Sequence, residues 1–423
     1  MNGTVTTVQI AAAVLFAVAV THTFATGYFE RLAHAHPTHA GLWHLLGEVE
    51  VVFGFWAMVL MLLIALQLGT KEAVAYLESR SFAEPAFVFV IMVVAASRPV
   101  LDFAGAALQA IARALPLPSS MSYYVTLLSI GPLLGSFITE PAAMTLTALL
   151  MRDQFFGRNA PREFMYATLG VLFVNVSIGG TLTPFAAPPV VMVAERWGWD
   201  ISTMLTLFGW KAATAVVVNT AAVAFYFRRH LADMPATPVD IARVETPAWI
   251  IAAHLAFLTI VVVFAHHPVV FVAAFLFFLG FSEAYKRYRG RLMIREGLLV
   301  GFFLAGLVVL GGQQKWWLET LLRDLPPSIL FTGATLLTAI TDNAALTYLG
   351  SLVEGVSDEF KYSLVSGAVT GGGLTVIANA PNPAGFAILK GSFEEGGINP
   401  VALAVAASPP TLVAAAAFQL LPG

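Results

Sequence analysis

Apolar stretches of about 20 residues, enough to cross a hydrocarbon core of ~30 Å, follow one another along the chain with short polar turns between them. Ten qualify: 5–27, 44–68, 84–110, 163–195, 201–227, 247–265, 268–285, 296–318, 361–392 and 398–420. Those at 163–195 and 361–392 are interrupted by Gly and Pro. Two further stretches, 120–151 and 327–355, carry a polar knot at the middle and leave apolar arms of about 12 residues or slightly more. At 1.5 Å per residue such an arm covers about 18 Å, little over half the core, the length of a re-entrant helical hairpin. The pattern predicts an all-α polytopic membrane protein with about ten transmembrane helices, two of them broken, and two re-entrant hairpins.

The pattern also repeats. ITEPAAMTLTALL from Ile138 returns 202 residues later as ITDNAALTYLGSL from Ile340, and GGTLTPFAAPP from Gly179 returns 192 residues later as GGGLTVIANAP from Gly371. Two motifs in one order at nearly equal offsets predict two copies of one unit, 1–230 and 247–423. The charged, Pro-containing stretch RRHLADMPATPVDIARVET (228–246) joins them, with 231–246 as a solvated linker. Each copy reads as three helices, a hairpin, a broken helix and a last helix. Five crossings is an odd number, so the second copy is expected upside down relative to the first. A duplicated pair of interrupted apolar segments is also the sequence sign of a secondary transporter's binding site.

Composition narrows the class. The 423 residues are 58 % hydrophobic and 11 % charged, with mean hydropathy +0.80, against about 25 % charged residues in soluble domains. A net charge of −3 offers no basic surface for nucleic acid, and the absence of cysteine excludes disulfides and thiolate chemistry. No Lys or Arg precedes the first apolar run, so it is read as a retained helix rather than a cleaved signal. With alternating helices, fourteen Lys/Arg fall on one side of the membrane and five on the other. The positive-inside rule then puts KRYRGRLMIR (286–295) in the cytoplasm and both termini outside.

Both knots are acidic. The first is Ser136-Phe137-Ile138-Thr139-Glu140-Pro141 and the second Thr338-Ala339-Ile340-Thr341-Asp342-Asn343. Thr139/Glu140 and Thr341/Asp342 stand where they can cap the second arm, with Pro141 suited to the first helical position. Capping does not require a carboxylate at the midplane, where a charge costs at least ~2.5 kcal/mol and a neutral Ser would cap as well. The acids are therefore candidate cation and proton ligands. The broken helices add hydroxyls (Thr181, Thr183, Thr375), amides (Asn379, Asn382) and carbonyls freed by unwinding, which is tolerated at membrane depth only where it lines a cavity or binds something. These are hard oxygen ligands suited to an alkali cation. Asn343, Asn379 and Asn382 furnish the second copy better than Pro141, Ala187 and Pro189 furnish the first, so Asp342 is expected to be the principal site and Glu140 its lesser twin.

A Thr/Asn/acidic hairpin tip followed by a Gly-Thr-Pro-broken helix, twice and inverted, resembles the ion-transporter superfamily. ITDNAALTYLGS and GGGLTVIANAPNPAGFAILK resemble a bacterial sodium/proton antiporter family within it, and the resemblance spans essentially the whole chain. It implies a scaffold domain, a mobile transport domain holding hairpins and broken helices, elevator-like alternating access, a homodimer through the scaffold helices, and a multi-pass place in the cell inner membrane. It implies sodium binding at Thr139, Glu140, Thr341, Asp342, Asn343, Thr183, Thr375, Asn379 and Asn382, with no cofactor beyond the transported sodium (or lithium) and protons. The symporters of that superfamily have uncharged Ser-Asn-Thr tips, whereas both tips here are acidic.

The function expected is therefore sodium/proton exchange. Sodium-coupled uptake of a small organic or inorganic anion is the alternative, with sodium neutralising the tips. An intramembrane enzyme lacks any HExxH or GxSxG string, and a passive channel has no need of two mirrored broken sites. Other charges have simpler readings. Glu48 and Glu50 lie at a span entrance, with His44 four residues from Glu48. Arg98 and Asp102 form an i, i+4 pair, and Lys211 and Lys315 are possible counter-ions to a site carboxylate. His34, His36, His39 and His44 form a loop whose spacing does not match a metal site.

Overall fold

The computed structural model describes residues 6–157, 160–234, 246–393 and 397–422. Secondary structure among them is helical throughout, with no strand. Seven helices are long and apolar enough to cross a membrane: Thr7–Ala35, Val49–Leu68, Ser119–Ile138, Arg162–Leu182, Ile201–Tyr226, Ile294–Gly311 and Pro400–Leu420. Ala83–Ala95 and Arg98–Ala114, bent by 66° at their junction, make an eighth if they are one span. The bend falls at Ser97, whose backbone is extended just ahead of Pro99, a residue that has no N–H to continue the preceding helix. The chain is an integral membrane protein.

Several expectations shift. The segments at 247–265 and 268–285 form helices of 16 and 17 residues, Ala248–Val263 and Pro268–Ala284, about 24–26 Å long at 1.5 Å per residue. Each starts at a proline, Pro247 as the N-cap of the first and Pro268 as the first residue of the second, where the missing N–H costs no helical bond. The second hairpin has short arms, Pro327–Thr338 and Asn343–Ser351. The first does not: its arms are Ser119–Ile138, 20 residues, and Glu140–Phe155, 16 residues. The polar start of the longer arm stays helical because Ser120 and Ser122 donate to the carbonyls of Leu231 and Ala112. Of the linker, residues 235–245 lie outside the described residues, as do the extreme termini; residues up to Asp233 continue a helix, Arg228–Asp233.

The chain divides into two compact units, each built from stretches of both sequence halves. The first comprises Met1–Phe89, Ile294–Pro326 and Tyr348–Ser357. Its centre is the pair Val49–Leu68 and Ile294–Gly311, which approach through glycines: a Cβ on Gly306 would overlap the backbone of Gly54, and one on Gly54 would overlap the Phe302 ring. Small residues let apolar helices make the close van der Waals contact that holds them together in lipid. Phe53 and Phe303 pack edge to face beside them at 5.2 Å. Here Glu48 pairs with Arg295 rather than His44. Lys315 is no counter-ion to a hairpin-tip carboxylate; it stands past the end of the span and pairs with Glu354 at 2.7 Å and Glu319 at 3.8 Å. The histidine stretch is a helix end, a 3₁₀ turn and a short helix (Ala40–Gly47) rather than a loop, with the His34 and His44 rings 6.2 Å apart.

The second unit comprises Val90–Met293, Pro327–Thr347 and Asp358–Gly423, and so holds both hairpin tips and both broken helices. Its axis is Arg162–Gly179, buried from Phe164 to Gly179 apart from Ala167. Asn175 anchors it, donating to Leu128 O at 2.8 Å and Thr220 Oγ1 at 3.2 Å. Asn219 donates to Asn175 Oδ1 at 3.0 Å and to Pro410 O at 3.2 Å. Satisfied amide networks rigidify an apolar interior, and this one ties four helices into a frame for the site. Arg98 and Asp102 form the expected pair, at 3.5 Å.

Candidate functional site

The first hairpin turns at Thr139, whose φ of +72° is the one positive value at a non-glycine residue among the described residues. With ψ at 150° this lies in a region that is essentially glycine's, at a cost of about 1–3 kcal/mol. A β-branched residue held there is a sign of function rather than of folding convenience. Its hydroxyl is buried without a hydrogen-bond partner, and neither Thr139 nor Glu140 caps the second arm through its side chain.

Glu140 is completely enclosed, at 0 % exposure. Its Oε2 accepts the Asn379 amide at 3.0 Å, while its Oε1 has no partner. The pocket is tight: a Cβ on Gly180, in the first broken helix, would overlap the Glu140 carboxylate. The contact with Asn379 joins the first hairpin tip to the second broken helix. Asn379, expected with Asn382 beside Asp342, donates to Glu140 instead.

Asp342 differs. It is half-buried, and its Oδ1 accepts the backbone N–H of Ala344 at 2.8 Å and Ala345 at 3.3 Å, so it performs the capping that Glu140 does not. Thr341 is spent on the Leu337 carbonyl of its own arm, 2.8 Å away. Asn343 is fully buried; its backbone N–H donates to Ala378 O at 3.1 Å, and neither polar atom of its side chain has a partner. Asn382 uses both N–H groups on the unwound carbonyls of Gly372 at 2.7 Å and Thr375 at 2.8 Å, leaving its Oδ1 unpartnered. Asn379 Oδ1 and Thr338 Oγ1 are unpartnered as well.

The breaks are clamped to the tips by one recurring bond. Thr183 Oγ1 donates to Ser136 O at 2.5 Å at the first tip, and Thr375 Oγ1 donates to Ala339 O at 2.8 Å at the second. These two threonines are thus positioning groups. Ser136, in the knot but not among the residues expected in the site, is the hub of the first tip: its hydroxyl donates to Gly179 O at 2.7 Å and accepts Leu182 N–H at 2.9 Å. Ser177 joins the two broken helices through Val369 O at 2.7 Å. A Cβ on Gly372 would overlap the Ser177 hydroxyl, with Asn343 Nδ2 also in its way, and one on Gly373 would overlap the Val174 backbone, so these glycines allow the two broken helices to meet.

The outcome is a buried run from Glu140 through Asn379 and Asn343 to Gly372 and Asn382, rich in oxygen atoms that no protein donor satisfies. Each orphaned buried acceptor costs about 1–3 kcal/mol, a cost that a bound cation, a proton or an ordered water offsets. No group of three His, Asp or Glu that could hold a metal ion exists among the described residues. One carboxylate with neutral amide and hydroxyl oxygens is a donor set for a singly charged hard cation or a proton. A family model described as "Putative Na+/H+ antiporter" matches residues 7–421. No curated protein matches the chain.

Proposed function

The chain belongs to the family described as "Putative Na+/H+ antiporter", and from that premise we propose that it exchanges sodium, or lithium, for protons at Glu140. The observation carrying this reading is the enclosed Glu140 carboxylate with one oxygen held by Asn379 and the other unpartnered among orphaned amide and hydroxyl oxygens. Sodium on the carboxylate is neutral, and so is the protonated carboxyl. The empty carboxylate is a bare charge in a low-dielectric interior, which costs several kcal/mol. Only the two neutral forms cross readily, and exchange follows without further machinery. Asn379 grips Oε2 throughout while Oε1 alternates between cation and proton. The sequence placed Asp342 first; burial and the freedom of Oε1 put Glu140 first in this reading, with Asp342 as cap and secondary charge.

The unit holding both tips and both broken helices is the mobile body in this reading, moving in an elevator-like alternating-access cycle. Inverted repeats, re-entrant hairpins and a homodimer rest on the duplicated motifs and the family resemblance. The protein acts as a transporter and not an enzyme, in the inner membrane with both termini outside. Reporter fusions at Gly423 and Gly290 are expected to read opposite sides; the same side for both would overturn the helix count.

The function is tested in proteoliposomes carrying an imposed pH gradient. Sodium should dissipate the gradient, while potassium and a dicarboxylate should not. Because sodium and a proton compete for one carboxylate, apparent sodium affinity should fall as pH falls, by up to about tenfold per unit where the carboxyl is mostly protonated. An affinity independent of pH would sink competition at a single group.

A further inference from the structure

The helix spanning Ile201–Tyr226 carries a π-helical turn at Leu205–Gly209. Such turns insert a residue, re-phase the helix beyond them and gather at functional sites. Two residues past it, Lys211 is turned inward and is 3 % exposed. Its ammonium donates to the Tyr362 hydroxyl at 3.0 Å and lies 4.6 Å from the centre of that ring. Tyr362 donates its own O–H to Phe418 O at 2.6 Å, so it offers Lys211 a lone pair and no charge. Among the described residues no carboxylate reaches ion-pair distance of Lys211. This overturns its expected role as a counter-ion to a site carboxylate. An ammonium drawn inward with only a neutral hydroxyl beside it lacks the counter-charge that a buried cation calls for.

Lys211 lines an open cleft of about 410 Å³ lying wholly within the second unit. Leu207, Pro327 and Phe418 give it apolar walls, and Ser363 and Gln419 give it polar edges. Its other titratable lining groups are Tyr362, Asp358 and Glu359, and Asp358 is paired with Lys361 at 2.6 Å.

We propose that this cleft binds a small monocarboxylate, its oxygens on the Lys211 N–H groups that Tyr362 leaves and a short apolar tail along Leu207, Pro327 and Phe418. One cation matches one negative charge; with Asp358 held by Lys361, the repulsion from Glu359 in the same cleft weighs about twice as heavily on a dianion as on a monoanion. Chloride would gain nothing from the apolar walls, and a phosphate favours the fork of an Arg. The site is separate from Glu140 and does not rest on the exchange reading.

The test is calorimetric titration of the purified full-length protein in sodium-free detergent buffer with choline butyrate and, in a second arm, choline decanoate, against a choline chloride blank. Saturable butyrate binding is expected, weakened by about tenfold or more in Lys211→Met and also in Leu207→Trp, which fills the cleft and leaves the ammonium in place. Decanoate binding without butyrate binding, with the same losses, identifies a lipid-derived carboxylate rather than a free solute and upholds the site. No saturable binding of either probe to the wild type, or wild-type affinity in the variants that fold, overturns it. Leu207→Trp keeps the proposal testable if Lys211→Met does not fold.

Discussion

Glu140→Gln should abolish sodium-driven proton exchange in proteoliposomes while the protein remains folded in the membrane. Gln matches the carboxylate in shape and can still accept the Asn379 amide, so the enclosed pocket stays filled. What it lacks is the negative charge that makes sodium worth binding and the site that a proton can occupy instead. Asp342→Asn is the informative partner. Asp342 spends Oδ1 on the N–H groups of Ala344 and Ala345, and Asn caps about as well as Asp, so this variant should retain exchange within about threefold of wild type. Both are measured as initial rates of pH-gradient dissipation at matched protein content. If Glu140→Gln keeps pH-dependent, sodium-driven exchange, Glu140 is not the exchanging group, and Asp342 takes its place if Asp342→Asn is the variant that fails.

Gly180→Ala should cut the exchange rate severely, by about tenfold or more, since a misplacement near 1 Å can cost up to about a hundredfold in positioning. The backbone at Gly180 has φ −74°, which alanine adopts without strain. The added methyl instead runs into the Glu140 carboxylate, and at zero exposure that carboxylate has nowhere to swing. Gly333→Ala is the control: a Cβ there meets nothing within 4 Å, so its rate should match wild type. Wild-type exchange in Gly180→Ala at wild-type abundance would mean that the close approach of the first broken helix to Glu140 does not matter for transport.

Much of the site could be read from the chain alone because it is written as exceptions to an apolar background. A Glu, an Asp, three asparagines and Gly-Pro breaks inside membrane-length stretches are expensive, and the return of the acidic tip and of the break at offsets of 202 and 192 removes chance. All nine residues nominated from the sequence lie in the hairpin tips or broken helices of one compact unit. Their division of labour was not legible. Thr341, Thr183 and Thr375 spend their hydroxyls on nearby carbonyls, Asp342 spends an oxygen on a helix start, and only Glu140, Thr139 and the asparagines keep unpartnered atoms. Which oxygen is left over depends on where each backbone carbonyl or N–H points, and residue type does not carry that.

Hydropathy alone also settled the class: 58 % hydrophobic residues in runs of membrane length leave only a helical membrane protein, because every backbone group in lipid must be satisfied within its own segment. It could not settle lengths. Ser119–Ile138 runs 20 residues because its polar start is anchored by carbonyls of other segments, contacts invisible to a hydropathy window. The same limit hid the pairing of Glu140 with Asn379, 239 residues apart, and of Lys211 with Tyr362, 151 apart. Local composition determined which residues are costly in a membrane and hence worth watching. Only the tertiary structure decided which of those costs are met by another part of the chain, because hydrogen bonding acts over about 3 Å and sequence distance says nothing about that separation.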